Sequence, residues 1–128
     1  MQDKNKDLSQ YRLSNANETL DVATDCFNNG HYRDAINRSY YAAFYATKAV
    51  LALDEIDFKR HKDVIAYFNK EFVATEKIPR EIGKKLARLQ QKREKSDYDD
   101  FFIASQDEAY SQIKAAKDII NAVVEYLK

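Results

Sequence analysis

An all-α bundle of four long helices and one shorter one is the fold this sequence predicts. Three observations predict it. Two Gly and one Pro in 128 residues leave few turn signals, which favours long helices over many short strands. Apolar residues recur at steps of three and four along nearly the whole chain. Residues 34–51 are so rich in apolar and aromatic side chains that a helix built from them leaves almost no side free for water.

The first helix is read from about Leu8 to Asn29, with Leu13, Ala16, Leu20, Ala23 and Phe27 as its inward line. Asn28, Asn29 and Gly30 tolerate positive φ and stop it. The second runs from about Tyr32 to Ala52, and so short a connection makes the pair antiparallel. At about 100° of rotation per residue, Tyr32, Ile36, Tyr40, Ala43, Thr47 and Val50 form one stripe. Arg38, Tyr41, Tyr45, Ala49 and Ala52 form a second on the opposite side. The first stripe meets the bundle core; the second requires another helix of the same chain, a partner subunit or a ligand. A homodimer is the expectation drawn from it.

Residues 53–58 break the pattern and read as a loop. A third helix then carries His61, Val64, Ile65, Phe68 and Phe72 on one side and ends near Ala74 and Thr75. Pro79 suits the first position of a fourth helix, where its missing N–H is harmless. Ile82, Leu86 and Leu89 form that helix's inward stripe, and the next position on it is Arg93. A guanidinium turned inward needs a carboxylate or a ligand phosphate. Residues 95–100 read as an interruption. Ser105 and Glu108 match a capping box and open the last helix, whose buried line is read as Tyr110, Ile113, Lys117 or Ala116, Ile120, Val124 and Leu127. No repeat or low-complexity tract divides the chain, so one domain over residues 1–128 is expected.

Composition narrows the function classes. Lys plus Arg and Asp plus Glu both total 21, so no global field recruits nucleic acid or membrane and any basic site is local. The polar N-terminus lacks the apolar run of a signal peptide, and no segment is long and apolar enough to span a bilayer. With a single cysteine, Cys26, the cytoplasm is the simplest compartment and no internal disulfide can form. Cys26 reads as a small core hydrophobe without an activating base. Only His31 and His61 are available, and no Cys/His zinc spacing, His-Glu-x-x-His pair or glycine-rich phosphate loop occurs, so no metal or cofactor is implied. His31 reads as solvent-facing. His61, flanked by Arg60 and Lys62, reads as a packing histidine or as a hydrogen-bond donor to a phosphate.

The strongest cationic run is Arg80, Lys84, Lys85, Arg88, Lys92, Arg93 and Lys95. Arg80, Lys84, Arg88 and Lys92 lie four apart on one helix face, a spacing that can follow a phosphate backbone or simply form a solvated face. Nine Tyr and seven Phe could stack on bases or fill the core.

Three segments carry a family resemblance: residues 32–44, with Arg38-Ser39-Tyr40-Tyr41-Ala42; His61 before residues 64–68; and Arg93-Glu94-Lys95-Ser96-Asp97-Tyr98. Together they resemble the HEPN superfamily, most closely its small single-domain prokaryotic members. The resemblance implies an up-and-down helical bundle, usually dimeric. Many such proteins are metal-independent ribonucleases of toxin–antitoxin and related systems, with an Arg followed after about four to six residues by a His. The corresponding position is Arg93, but Asp97 and Tyr98 follow it and no His does. An ionised Asp beside an Arg is a poor proton donor. The resemblance therefore implies a nucleotide- or RNA-binding module, catalytically degenerate, acting with a minimal nucleotidyltransferase partner. Arg38, Tyr41, Tyr45, Arg88, Lys92 and Arg93 are its candidate binding residues. The alternatives are a ribonuclease toxin with a non-standard set, in which Arg93 steadies the phosphorane and His61 or Tyr98, with Asp97, handles protons, and a structural adaptor without ligand.

Overall fold

The computed structural model describes residues 2–128 as five α-helices: α1 (Gln2–Asn28), α2 (Tyr32–Ala52), α3 (His61–Phe68), α4 (Arg80–Tyr98) and α5 (Gln106–Leu127). A π-helical turn, Asn69–Val73, extends α3. The described residues contain no strand, and no helix among them is long and apolar enough to cross a membrane.

The hinge between α1 and α2 forms as its residues dictate. Gly30 takes φ +79°, the left-handed conformation that glycine adopts without strain. The N–H of Gly30 then donates to the Phe27 carbonyl at 3.0 Å and that of His31 to the Cys26 carbonyl at 2.8 Å. This pair of bonds satisfies the exposed end of α1 and turns the chain back on itself. At the end of α2 the same pair recurs around Glu55, left-handed at φ 58°, with Glu55 N–H bound to Ala52 and Ile56 N–H to Leu51.

Helix α2 occupies the centre and packs against α1, α3, α4 and α5. Ala35, Ala42, Ala43, Ala46 and Ala49 are fully buried, and these small side chains let neighbouring backbones approach closely. Both stripes are covered by helices of the same chain: Ile36, Tyr40, Ala43, Thr47 and Val50 are buried, and so are Ala49 and Ala52 on the other side. Only Arg38, Tyr41 and Tyr45 of the second stripe stay partly open. The chain's own helices thus answer the first stripe and the alanines of the second, and leave Arg38, Tyr41 and Tyr45 at the surface.

Four boundaries or faces differ from the reading of the sequence. Helix α1 begins at Gln2 instead of near Leu8, and its added first turns are tied to the turn after α2, where Asn5 Nδ2 donates to Glu55 Oε1 at 3.3 Å. Pro79 lies just before the first helical residue of α4. Helix α4 runs through residues 95–98 instead of breaking there, since Ser96 is buried and its carbonyl is taken by Arg33. Helix α5 does open on the Ser105–Glu108 capping box, but its buried line is Ala109, Gln112, Ala116, Ile119, Ile120 and Val123. Tyr110 faces out, because the stripe is rotated by about one residue from the one its largest apolar side chains suggested.

The π-helical turn accounts for Gly83. It carries Asn69 and Val73 onto α4, where a Cβ built at Gly83 would lie 2.9 Å from Val73 Cγ1 and 3.3 Å from Asn69 Oδ1. An alanine there gains about 1 kcal/mol in helix propensity, while overpacking costs typically about 1–3 kcal/mol. Gly83→Ala is expected to lower the denaturation midpoint, and the loss should disappear in a Val73→Ala background. A double-mutant cycle in urea reads both.

Candidate anion site on helices α2, α3 and α4

Two turns of α2, the first residue of α3 and the C-terminal half of α4 converge on a group of charged and aromatic side chains. From α2 come Asn37, Arg38, Tyr40, Tyr41 and Phe44; from α3, His61; from α4, Arg93 and Asp97. Helical geometry puts Asn37, Tyr40, Tyr41 and Phe44 within reach of one another, three or four residues apart.

Arg93 holds the centre. Its side chain is only 13% exposed, as its place on the Ile82, Leu86 and Leu89 stripe implies. The guanidinium carbon stands 4.6 Å from the centre of the Tyr40 ring and 5.7 Å from that of Tyr41. Arg38 approaches Tyr41 as well, at 5.0 Å. Two guanidinium groups therefore lie against one tyrosine.

A single carboxylate answers them. Asp97 Oδ2 accepts from Arg93 Nη1 at 3.5 Å and from Asn37 Nδ2 at 3.4 Å. Asn37 Oδ1 in turn accepts from Arg38 Nε and Nη2 at 3.0 and 2.7 Å. The Arg93–Asp97 contact is long, and a partly exposed ion pair contributes about 1 kcal/mol or less. Each cation–π contact contributes roughly 0.5–2 kcal/mol, so the tyrosine faces and the surrounding packing hold Arg93 more than Asp97 does. Arg93 Nε is buried without any hydrogen-bond partner. Its donor capacity is under-used.

His61 completes the group from the other side of Tyr40. Its Nδ1 lies 3.2 Å from the Tyr40 hydroxyl, and its ring stacks on Phe44 with centres 4.0 Å apart and meets Tyr41 edge-on at 5.6 Å. Burial pushes its pKa below the ordinary 6.5, and the charges of Arg93 and Lys48 push it further down. The imidazole is therefore neutral at neutral pH. Burial raises the Tyr40 phenol, with Arg93 opposing the rise. Tyr40 and Tyr41 are thus the residues that His61 and Arg93 share.

The remaining candidates separate. Tyr45 joins the aromatic row beside Tyr41 and Phe44, 6.3 Å from each. Tyr98, at the end of α4, is 78% exposed. Arg88 and Lys92 face a different groove, between α4 and α5, and do not join Arg93. Lys92 and Arg80 are ion-paired, to Glu108 at 2.8 Å and Glu76 at 3.5 Å, so the row of four cations is not a free phosphate track. Cys26 is half-buried and its thiol pKa is raised, chiefly by burial, which keeps it protonated. His31 is exposed and makes no cap bond. The described residues contain no cluster of His, Cys, Asp and Glu able to hold a metal ion.

Asn37 and Arg33 are the participants that sequence reasoning overlooked. Arg33 Nε donates to the Ser96 carbonyl at 2.7 Å, with Arg33 Nη2 on the same oxygen. A cation at the C-terminal carbonyls of α4 suits the helix dipole and carries Asp97 to the site. The signal was present: Arg33, Asn37 and Tyr41 recur at a spacing of four.

Arg93→Ala is expected to destabilise the fold by about 1–3 kcal/mol, since it removes two cation–π contacts from a largely enclosed position. Arg93→Lys should recover less than half of that, because an ammonium cannot lie flat on two rings. Urea denaturation measures both.

His61 also makes stability depend on pH. Because its folded pKa lies below 6.5, the unfolded chain binds more protons than the native one as pH falls. The contribution is fully present above the unfolded value of 6.5 and is lost as pH falls from there through the folded pKa. The parent should lose more stability between about pH 7.5 and about pH 5.5 than His61→Gln does, read from urea midpoints at the two values.

Known proteins place this architecture. The profile of the HEPN domain family matches residues 9–127. A "UPF0332 protein" of Thermotoga maritima is 32% identical over the full chain and 96% of its own length. Two proteins of Methanocaldococcus jannaschii are similar as well. "Putative toxin MJ0605" is 33% identical over 97% of this chain and 94% of its own length, and "Putative toxin MJ0142" is 29% identical over 90% and 78%. With a match that runs from the first helix to the last, on an all-helical bundle, the chain belongs to the HEPN domain family.

Proposed function

We propose that this protein is a toxin-type HEPN module that binds nucleotide or RNA through a phosphate at Arg93, and that it cleaves RNA slowly or not at all. The observation that carries this reading is the imbalance at Tyr41. Two guanidinium groups, Arg38 and Arg93, lie on one tyrosine, and among the described residues the only carboxylate bonded into the group is Asp97, at 3.5 Å from Arg93. An incoming phosphate adds the negative charge that is lacking and can use donors that Asp97 leaves idle. The toxin names of two relatives favour a role of this kind. Slow cleavage follows from Asp97 and Tyr98 standing after Arg93 where a histidine would supply the proton-transfer group. General acid–base catalysis is worth typically about 10²–10⁴-fold.

One observation favours a ribonuclease instead. His61 is neutral and shares Tyr40 with Arg93, so a base and a hydrogen-bond donor for phosphate stand on one phenol. In that reading Arg93 steadies the phosphorane while His61 moves the proton.

The module further acts as a homodimer and with a minimal nucleotidyltransferase. Support for contact with another protein comes from Tyr98, Phe101 and Ile103, which stand 78%, 92% and 87% exposed around the α4–α5 loop. A concentration-independent monomer near 15 kDa in sedimentation removes the dimer.

Metal-free incubation with RNA, beside a binding titration, tests the principal reading. The parent should bind RNA and leave it nearly intact. Arg93→Ala should bind RNA more weakly than the parent, and His61→Ala should bind it as the parent does. Robust cleavage that either substitution abolishes overturns the binding module in favour of the ribonuclease.

A further inference from the structure

We infer a second nucleotide site in the groove between α4 and α5, separate from the Arg93 group, in which Arg88 and Lys95 hold a phosphate and Gln112 accepts a hydrogen bond from the base. Two adjoining cavities form the groove. One, of about 330 Å³, is lined by Arg88, Gln91, Lys92, Lys95 and Gln112; the other, of about 190 Å³, shares Arg88 and Gln112 with it and adds Lys85 and Asp118. The size suits one nucleotide.

Charge pairing sorts the cations. Lys92 is bound to Glu108 at 2.8 Å and Lys85 to Asp118 at 2.7 Å, so these two brace the walls. Glu108 is itself held by the capping box of α5, which ties the groove wall to the start of that helix. Arg88 and Lys95 have no ion-pair partner among the described residues. They leave an excess of positive charge over the larger cavity.

Gln112 supplies the independent sign of a ligand. It is 7% exposed, lines both cavities, and its Oε1 is buried without a hydrogen-bond partner. An unsatisfied buried acceptor is destabilising unless something donates to it. A phosphodiester or a fully ionised phosphate has no donor to offer. A nucleotide has both parts: an anion for Arg88 and Lys95, and an exocyclic amine or ring N–H for Gln112 Oε1. A free nucleotide and a strand of RNA share this chemistry.

The test uses the full chain and four probes: inorganic phosphate, adenosine 5′-monophosphate, tetra-adenylate RNA, and the same sugar-phosphate chain with abasic positions. Titrations are run in an Arg93→Ala background, so that a failure of the Arg93 reading leaves this one measurable. Arg88→Ala should weaken tetra-adenylate and abasic binding alike and lower the salt slope by about 0.7. Gln112→Leu removes the acceptor at similar volume. It should weaken tetra-adenylate roughly three- to tenfold and leave the abasic chain unchanged. Because Gln112 is buried, the parent's Gln112 side-chain amide resonance provides a second measurement: it should shift with tetra-adenylate and not with phosphate. If the monophosphate binds with the same sensitivities, the source is a free nucleotide; if only the tetramer does, it is RNA. Binding indifferent to Arg88→Ala, or a Gln112 amide that stays still under saturating tetra-adenylate, overturns the site.

Discussion

Helix α2 has almost no side left for water, and the rest of the molecule is arranged around that constraint. A helix so apolar is stable only when surrounded, and α1, α3, α4 and α5 each take a share of its surface. Its alanines make this feasible by letting backbones close in, and its buried hydroxyls are absorbed locally, Ser39 and Thr47 each donating to the carbonyl four residues earlier. Arg33, Asn37, Arg38 and Tyr41, which cannot be buried so fully, are gathered along the open edge of α2. The polar site is what remains when the apolar faces have been covered.

Along that edge the chain joins stability to chemistry. Arg33 binds the Ser96 carbonyl in the last turn of α4, and Asp97 beside it stands level with Asn37 and Arg93. Arg93 then lies across Tyr40 and Tyr41, and Tyr40 reaches His61 at the start of α3. Three helices are cross-linked by one continuous polar path. The contacts of Asp97 with Arg93 and Asn37 thereby also hold α4 to α2.

The cationic face of α4 divides for a related reason. Its successive residues project to different neighbours: Arg93 turns in toward the tyrosines of α2, while Arg88, Lys92 and Lys95 turn toward α5. Glu108 and Asp118 of α5 neutralise two of the cations on that side. One basic run in the sequence thus becomes two small electropositive regions on opposite flanks of one helix, each with an under-used polar atom at its base, Arg93 Nε in one and Gln112 Oε1 in the other.

Local signals alone determined a good deal. The periodicity, the near absence of Gly and Pro, and the stop at Gly30 prescribe an all-helical bundle; the limits of α2 and the capping box of α5 lie where Tyr32, Ala52, Ser105 and Glu108 put them. The inward turn of Arg93 and its pairing with Asp97 follow from helical spacing within one element. Which residues meet across elements was decided only by the tertiary structure. His61 is distant in sequence from both Tyr40 and Arg93, and nothing in its own neighbourhood shows that it stacks on Phe44. Arg33 extends α4 through residues that look like a break, because a guanidinium from another helix satisfies carbonyls that would otherwise end it in water. The inner line of α5 runs through Ala109 instead of Tyr110 because close packing against Ala35 and Ile36 of α2 favours a small side chain there over a large aromatic one. Spacing along one helix is a local property of the chain, whereas the choice of neighbour depends on how whole helices fit together.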